Sequence, residues 1–299
     1  MKHKNLLIIT AVFSFLMTGC GAKPISTSKI NYADYHKKLD QITIENVDDK
    51  NGKDAYETNG NLEIKVSGTD NTGASISSTI SYKYNLKNDL NTILLSENMS
   101  MRAEQKVSGQ NISAKTSMNN NLGLTKKDDS TYSMYLKKSV LVESDDESES
   151  TSGSLKATGK IYHAFAGSII EKLQTNYSLY TIYLNEIVSN LSYQASQDNS
   201  AYFAYGEQDD NERFELDLKN LDNSIKLSAE YKGNLISSFE LNMYANDKGS
   251  NTSLKMTSST KKLNKKLSYP NDKNATEVSE DDGFQLLHQI LFYNFSIKQ

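Results

Sequence analysis

The stretch ISYKYNL, residues 80–86, decides the fold class of this 299-residue chain, because apolar or aromatic side chains alternate with polar ones along it. Such alternation places one set of side chains on each face of a β-strand, one towards a core and one towards water. The same period recurs at 62–66, 99–107, 112–118, 132–136, 140–142, 155–161, 214–218, 225–231, 239–243 and 254–256. Turn-forming clusters such as GTDNTG, residues 68–73, separate several of these runs. The pattern predicts an antiparallel meander.

The spacing of apolar residues changes to three and four in three segments, which predicts amphipathic helices. A short helix is predicted at 30–42, a long central one at 164–191 and a last one at 284–295. The central helix would be about 42 Å long at about 1.5 Å per residue. Its charged residues Glu171, Lys172 and Glu186 argue against a membrane span. We therefore predict an α+β, mainly β fold: a curved antiparallel sheet, or half-barrel-like meander, covered by a long central amphipathic helix and shorter terminal helices.

The first twenty residues have the pattern of a secretory leader. Lys2 and Lys4 precede an apolar segment at 6–17, which is shorter than the roughly 20 residues that span a bilayer. The segment ends in Thr18-Gly19-Cys20, which resembles the bacterial lipobox, with Met17 where Leu is commoner. The resemblance implies cleavage before Cys20 and lipidation of its thiol, so that acyl chains hold the mature protein at the outer, extracytoplasmic face of the cell membrane.

Three parts of the chain are predicted from these patterns. Residues 1–19 form a cleaved lipoprotein signal peptide, 20–29 a lipidated N-terminus and flexible tether, and 30–299 a single extracytoplasmic β-rich domain. Removal of Lys2 and Lys4 leaves 31 basic against 37 acidic residues, a net charge of −6. This negative charge argues against nucleic-acid binding and against electrostatic adhesion to anionic lipid.

Motifs that would carry catalysis are missing from the sequence, so we predict no enzyme and no cofactor. His36, His163 and His288 are far apart and lack metal-ligand spacing. Acidic residues cluster at 143–149, 209–210 and 280–282, which either form a calcium loop or lie in solvated hairpin loops. The order of carboxylates does not match an EF-hand, which favours the solvated loops. The acids at 280–282 also suit the first turn of the last helix.

The order of elements, helix, strands, long helix, strands and helix, resembles the LolA/LppX-like superfamily of bacterial envelope proteins. The resemblance covers most of residues 30–295 and rests on binary pattern, with no sequence motif behind it. It implies a half-barrel whose concave side is closed by helices around a space that can hold acyl chains. Tethered members of the superfamily are the closer comparison, because LolA itself has no anchor.

Two hypotheses for function follow. In the first, the protein is a membrane-anchored lipoprotein that binds a lipid or other hydrophobic ligand between the concave sheet and its helix. Its predicted ligand contacts are Ile80, Tyr82, Met99, Met101, Ile169, Leu173, Tyr180 and Leu184, all of which also suit an ordinary core. In the alternative, it is an envelope or cell-surface lipoprotein with a solid core that contacts protein or glycan. Neither hypothesis requires a metal.

Overall fold

A computed structural model of the chain describes most of residues 25–285. The described ranges are 25–42, 55–69, 73–89, 91–107, 110–128, 130–145, 147–159, 179–220, 222–233, 235–247, 249–270 and 273–285. In the helix Leu179–Ala195, side chains are described from Leu184 onward.

The described residues form thirteen strands and three helical segments. The strands are β1 Ser28–Ile30, β2 Ala55–Thr69, β3 Ser75–Asn88, β4 Thr92–Val107, β5 Gln110–Lys126, β6 Tyr132–Ser144, β7 Ser148–Gly159, β8 Tyr202–Gln208, β9 Asn211–Lys219, β10 Asn223–Lys232, β11 Leu235–Asp247, β12 Ser250–Leu263 and β13 Thr276–Glu277. The helices are α1 Tyr32–Gln41, α2 Leu179–Ala195 and α3, described over 280–285.

All thirteen strands belong to one sheet, in the order β1-β8-β9-β10-β11-β12-β2-β3-β4-β5-β6-β7-β13. Strands β2 to β7 form one meander and β8 to β12 another, and every neighbouring pair except β7–β13 is antiparallel. The two meanders join where β12 pairs with β2 along its whole length, from Ser250 opposite Gly68 to Leu263 opposite Ala55. Strand β12, late in the chain, therefore lies beside β2, near its beginning.

One face of the sheet carries most of the apolar side chains, and we call it the core face. Residues directly opposite one another on paired strands share a face. One row of the core face crosses twelve strands: Ile30, Phe203, Leu216, Leu227, Leu241, Met256, Leu62, Tyr82, Met99, Met118, Val140 and Thr151. The other face, which we call the polar face, carries the intervening residues.

Helices α1 and α2 pack on the core face over β8 to β11. Tyr35 of α1 is fully buried, with its ring 5.1 Å from that of Phe203 and 5.3 Å from that of Phe214. Leu184 and Val188, one turn apart on α2, are buried in the same cluster. The helices are also tied to the sheet by polar contacts, since the Tyr231 hydroxyl donates to Asn185 Oδ1 at 2.7 Å.

The N-terminal segment is fixed along the edge of this lobe. The predicted tether, residues 20–29, ends with Ser28 and Lys29. These two residues belong to β1 and pair with β8. The Thr27 hydroxyl donates to the Glu215 carboxylate at 2.8 Å. A Cβ atom at Gly206 would lie 2.2 Å from the Ser26 carbonyl oxygen, so the strand approaches here only because Gly206 has no side chain. The ordered domain thus begins before residue 30.

After β12, which lies in the middle of the sheet, the chain runs to the edge beside β7. Leu267 N donates to Asp89 Oδ2 at 3.1 Å, and Pro270 lies against Gly123, where a Cβ would be 2.8 Å from its Cγ. Strand β13 then pairs in parallel with β7. The Ser279 hydroxyl caps α3 by accepting from Asp282 N at 3.1 Å, so the acids at 280–282 lie in the first turn of a helix, as predicted.

The predicted fold class, a half-barrel-like sheet covered by a long central helix, is wrong. The alternating runs do lie on strands, but these form a single 13-stranded sheet, and the helix described near the predicted central one runs only from Leu179 to Ala195. That helix covers the β8–β11 end, where its buried residues belong to the local cluster. The part of the prediction at 164–178 lies outside the described residues. Among the described residues, no helix packs over Val66, Ile76, Met101, Ile112 or Val142 of β2 to β6, and these side chains are exposed.

Candidate binding surface

The halves of β2 to β6 nearest the β2–β3, β4–β5 and β6–β7 turns expose an apolar surface. Five large side chains on the core face there are 42–56% exposed. Half-buried neighbours on the same face connect them to the covered part of the sheet. We call the set the distal apolar surface: Val66, Ile76, Met101, Ile112 and Val142, with half-buried Ile64, Ile80, Met99, Met118 and Val140. Its exposed members face the same side as the core, so exposure follows from missing cover rather than from strand orientation.

The size of this surface is set by strand geometry. Five strands at a spacing of about 4.8 Å span about 19 Å, and the rows from Leu62 to Gly68 extend about 20 Å at about 3.3 Å per residue. The rectangle is therefore on the order of 400 Å², and core-face Ser78, Gln105 and Thr116 interrupt the apolar side chains within it. Three of its ten members are methionines, whose flexible thioether chains adapt to irregular partners.

A buried polar row lies at the inner margin of the distal apolar surface. It runs across the strands through Ser258, Gly60, Tyr84, Glu97 and Asn120. Glu97 is only 6% exposed and Asn120 only 3%. The carboxylate of Glu97 accepts a short hydrogen bond from the Tyr82 hydroxyl and a second one, at 3.3 Å, from Asn120 Nδ2. Polar groups at this depth are costly unless hydrogen-bonded, so the row needs an explanation.

Acceptor capacity remains unused in the row. Among the described residues, none donates to Asn120 Oδ1 or forms a hydrogen bond with Ser258 Oγ, although both atoms are buried. Within that same part of the chain, no Lys, Arg or His forms an ion pair with Glu97. Lys138, opposite Asn120 on β6, is exposed to water. The row is therefore a buried polar site with unused hydrogen-bonding positions, bordered by apolar residues.

Three basic residues on the polar face behind this region form ion pairs. Lys65 lies 2.8 Å from Glu63, Arg102 2.7 Å from Glu104, and Lys115 2.7 Å from Glu143. Such exposed pairs stabilise little, but they keep this face soluble while the core face stays apolar. The two faces of the same strands thus differ sharply in chemistry.

An open cleft of about 510 Å³ lies at the tips of β2 to β5 and β12. Ile76 and Ile112 contribute to its lining, but most of the lining residues are Ser, Thr, Asn or charged. None of the eight predicted ligand contacts lines it. Most of its lining residues belong to the polar face of these strands, so the cleft is not the predicted space between sheet and helix.

The eight predicted ligand residues fall into three groups. Ile80 and Met101 are directly opposed on β3 and β4, as are Tyr82 and Met99, so four of them come together on the core face. Leu184 is buried in the α2 cluster. Tyr180 lies on α2 without a described side chain, and Ile169 and Leu173 lie outside the described residues. Cys20, His163 and His288 also lie outside them.

In the described part of the chain, no three His, Cys, Asp or Glu side chains lie close enough together to hold a metal ion. His36 is exposed on α1 and lies 2.7 Å from Asp40. Asp145 of the acidic β6–β7 turn instead accepts from the backbone and hydroxyl of Ser113, at 3.0 and 2.6 Å. Among these same residues, no helix is both long and apolar enough to cross a membrane.

The buried polar row was missed at the level of sequence, although a signal for it exists. Two members interrupt the apolar phase of an alternating run: Glu97 stands between Leu95 and Met99, and Asn120 between Met118 and Leu122. A single interruption is ordinary. Only strand register shows that these two residues share a row with Tyr84, Gly60 and Ser258.

Fold and surface together define a class of protein: a single mainly antiparallel sheet whose core face is partly covered by its own helices and partly open. No protein-family model matches the chain, and no curated protein sequence does.

Among solved structures, the chain is similar to Ail, the attachment invasion locus protein of Yersinia pestis, in complex with the heparin analogue sucrose octasulfate, with 9% identity, a TM-score of 0.20 and coverage of 70% of this chain and 98% of that one. It is similar to the translocator domain of autotransporter NalP from Neisseria meningitidis, with 8% identity, a TM-score of 0.18 and coverage of 76% and 96%. It is similar also to the transport unit of autotransporter AIDA-I from Escherichia coli, with 8% identity, a TM-score of 0.22 and coverage of 76% and 98%. Overlays at this level do not define a common fold.

Both hypotheses drawn from the sequence are wrong as stated. A lipid enclosed between sheet and long helix is contradicted because Ile80, Tyr82, Met99 and Met101 lie beyond the described helical cover, and Leu184 is packed in another cluster. The alternative assumed a solidly packed sheet, whereas five large apolar side chains of the core face are 42–56% exposed. None of the three structures named above is described as a lipoprotein or as LolA-like. The terms lipoprotein, palmitate and lipid binding therefore have no support in the comparisons.

Proposed function

We propose that this chain is a non-catalytic protein-binding module whose distal apolar surface packs against an amphipathic helix of a polypeptide partner. The observation that carries the proposal is the continuity of the core-face row. At Leu216, Leu227 and Leu241 this row is covered by the chain's own amphipathic helices, whereas at Met99, Met118 and Val140 it is half-buried beside exposed neighbours.

The existing helix–sheet contact shows what kind of occupant such a row accepts. Leu184 and Val188 present one stripe of α2 to β-strand residues of the core face. A helix is about 10 Å wide with its side chains, so a surface of about 20 Å by 19 Å accommodates roughly four turns. Recognition of an amphipathic helix by an apolar surface relies on anchors at spacings of three and four residues.

The affinity expected from this surface is modest. Burial of about 400 Å² from each partner gives an interface below the roughly 1,200–2,000 Å² of stable complexes. The proposal therefore predicts a transient complex, whose strength depends on a few well-packed side chains rather than on area.

Neighbouring residues on opposite faces provide the sharpest test. A photoreactive amino acid at Met101 points from the core face, whereas one at Arg102 points from the polar face of the same strand. We expect irradiation in the host cell to give a discrete polypeptide cross-link at position 101 and none at 102, with the cross-linked peptide of the partner having an amphipathic helical pattern.

The control keeps the photoreactive amino acid at position 101 and changes a second residue of the same surface. Ile112→Glu places a charge on the exposed surface and should abolish the cross-link from position 101 without unfolding the protein. Equal cross-linking from 101 and 102, or a cross-link that survives Ile112→Glu, would contradict the proposal.

Location is a separate proposal and rests on residues 1–20 alone. Acylation of Cys20 would hold the domain at the outer face of a membrane, where acyl chains contribute about 0.8 kcal/mol for each buried methylene group. Replacing Cys20 by Ser should release the protein into the soluble fraction. Membrane retention of the Cys20→Ser protein would contradict this proposal and leave the binding surface unaffected.

A further inference from the structure

The buried polar row is unlike the rest of the core face because it places a carboxylate among apolar side chains. Leu62, Met99 and Met118 form the next row on one side, and Leu86, Leu95 and Leu122 the next row on the other. A buried carboxylate is normally paired with a cation or surrounded by several hydrogen-bond donors. Glu97 has two donors among the described residues, Tyr82 and Asn120, and both are neutral.

Two further features show which kind of group would complete the site. Asn120 already donates to Glu97 through Nδ2, so its partnerless Oδ1 offers a second acceptor within the same site. A carboxylate accommodates about four hydrogen bonds, which leaves Glu97 with lone pairs to spare. Both open positions are acceptors and require a donor.

Aromatic rings beside the carboxylate favour a positively charged donor. The rings of Tyr82 and Tyr84 have centroids 5.7 Å apart and planes inclined by 34°, and both side chains lie on the core face next to Glu97. Aromatic faces attract cations, and the attraction increases when the cation is removed from water. Tyr84 holds its position because its ring lies over Gly60.

We propose that Glu97, Asn120, Tyr82 and Tyr84 form a binding site for a primary ammonium group attached to an apolar body. The ammonium donates to the Glu97 carboxylate and Asn120 Oδ1 while the tyrosine rings flank it. Its apolar body lies on the adjoining distal apolar surface, over Met99 and Met118. A quaternary ammonium fits less well because it has no N–H to donate to Asn120. The site stands independently of the proposed helix-binding function.

A free amine and a lysine side chain of a polypeptide share this chemistry, and two arms of one experiment distinguish them. In the first arm, calorimetric titration compares n-hexylammonium with hexanol and with hexyltrimethylammonium on the wild-type protein. In the second arm, an amphipathic helical peptide with one central lysine is compared with the same peptide carrying norleucine. Each arm is repeated with Glu97→Gln and with the control Glu63→Gln on the polar face.

We expect the ammonium form of at least one probe to bind at least tenfold more tightly than its neutral counterpart. Glu97→Gln should remove that preference, and Glu63→Gln should preserve it. The responding arm identifies the source of the ammonium. Equal binding of hexylammonium and hexanol together with equal binding of both peptides overturns the proposal, and so does a preference that persists in Glu97→Gln. If Glu97→Gln fails to fold, the wild-type comparison of charged and neutral probes still decides the matter.

Discussion

Gly60 shows how a residue without a side chain determines the arrangement of its neighbours. It lies in the middle of β2, where glycine normally weakens a strand because it has no side chain to pack. Directly opposite, the Tyr84 ring covers it so closely that a Cβ at Gly60 would be 2.0 Å from Tyr84 Cζ. The ring supplies the packing that glycine lacks, in the manner of aromatic rescue of strand glycines.

We therefore expect Gly60→Ala to force Tyr84 out of position and to lower the free energy of unfolding by about 1–3 kcal/mol. Gly153 lies in the same row on β7, and a Cβ atom added there would have no other atom within 4 Å. Gly153→Ala is the matched control and should change stability by less than about 0.5 kcal/mol. Urea denaturation measures both, and equal effects of the two substitutions would refute the explanation.

Glu57 is the best-paired carboxylate on the polar face. Its Oε1 accepts from Asn85 Nδ2 at 2.9 Å and lies 3.3 Å from Lys87 Nζ, while Oε2 lies 2.9 Å from Lys261 Nζ. The hydrogen bond from Asn85, with the contacts from Lys261 and Lys87, lowers the pKa of Glu57 to about 2. The side chain is 14% exposed, so solvent screening is weak.

A lowered pKa in the folded state stabilises the protein only while the group is ionised. The contribution of Glu57 should be complete above about pH 4.5 and disappear as the pH falls towards 2. We expect Glu57→Gln to lower the free energy of unfolding by about 1–3 kcal/mol at pH 7 and by much less near pH 2. A loss that stays constant between pH 7 and pH 2 would show that packing, not charge, is responsible.

At the scale of elements, α2 is held to the sheet by a stripe of buried side chains. Leu184 is 1% exposed and belongs to the buried cluster that includes core-face residues of β9 to β11. Leu184, predicted as a ligand contact, packs in this cluster, and its packing makes a distinct prediction. Leu184→Ala should lower stability by about 2–5 kcal/mol through the lost contacts and the cavity.

The same substitution separates packing from binding. Because Leu184 lies outside the distal apolar surface, the folded Leu184→Ala protein should keep the cross-link from position 101. Denaturation and cross-linking at a temperature well below the midpoint of unfolding measure the two effects. A stable Leu184→Ala protein that has lost the cross-link would return Leu184 to the binding site.

The seam between the two meanders depends on the pairing of β2 with β12. The hydroxyls of Thr58 and Thr260 are buried there and lie 3.0 Å apart. Thr58→Val deprives Thr260 of this hydrogen bond and should cost about 1–2 kcal/mol. A double-mutant cycle with Thr260→Val should show a coupling energy of about 0.5–1.5 kcal/mol. Purely additive effects would mean that the hydrogen bond contributes nothing to the seam.

For the molecule as a whole, the sequence predicts strands better than it predicts what covers them. Alternation at 80–86 and 99–107 identifies β3 and β4, since the period of two depends only on one face being apolar. The same pattern cannot distinguish a face covered by a helix from one left open. Ile80 and Met101 were therefore predicted as contacts beneath a helix, although Met101 is 42% exposed.

Long-range order is the second feature that local patterns leave out. Neither the pairing of β12 with β2 nor the parallel addition of β13 to β7 follows from residues near those strands. The buried polar row depends on that register, because Ser258 joins Gly60, Tyr84, Glu97 and Asn120 only once β12 lies beside β2. A candidate site assembled across five strands is thus visible only in the folded sheet.

The central claim is that the open half of the core face is an interaction surface. Hydroxyl-radical labelling tests it directly by comparing the isolated protein with the protein in its host cell. Met101 should be labelled readily in isolation and protected in the cell, while Tyr244, 43% exposed on the polar face, is labelled in both and serves as the reference. Labelling of Met101 that is equal in both settings, relative to Tyr244, would contradict the claim.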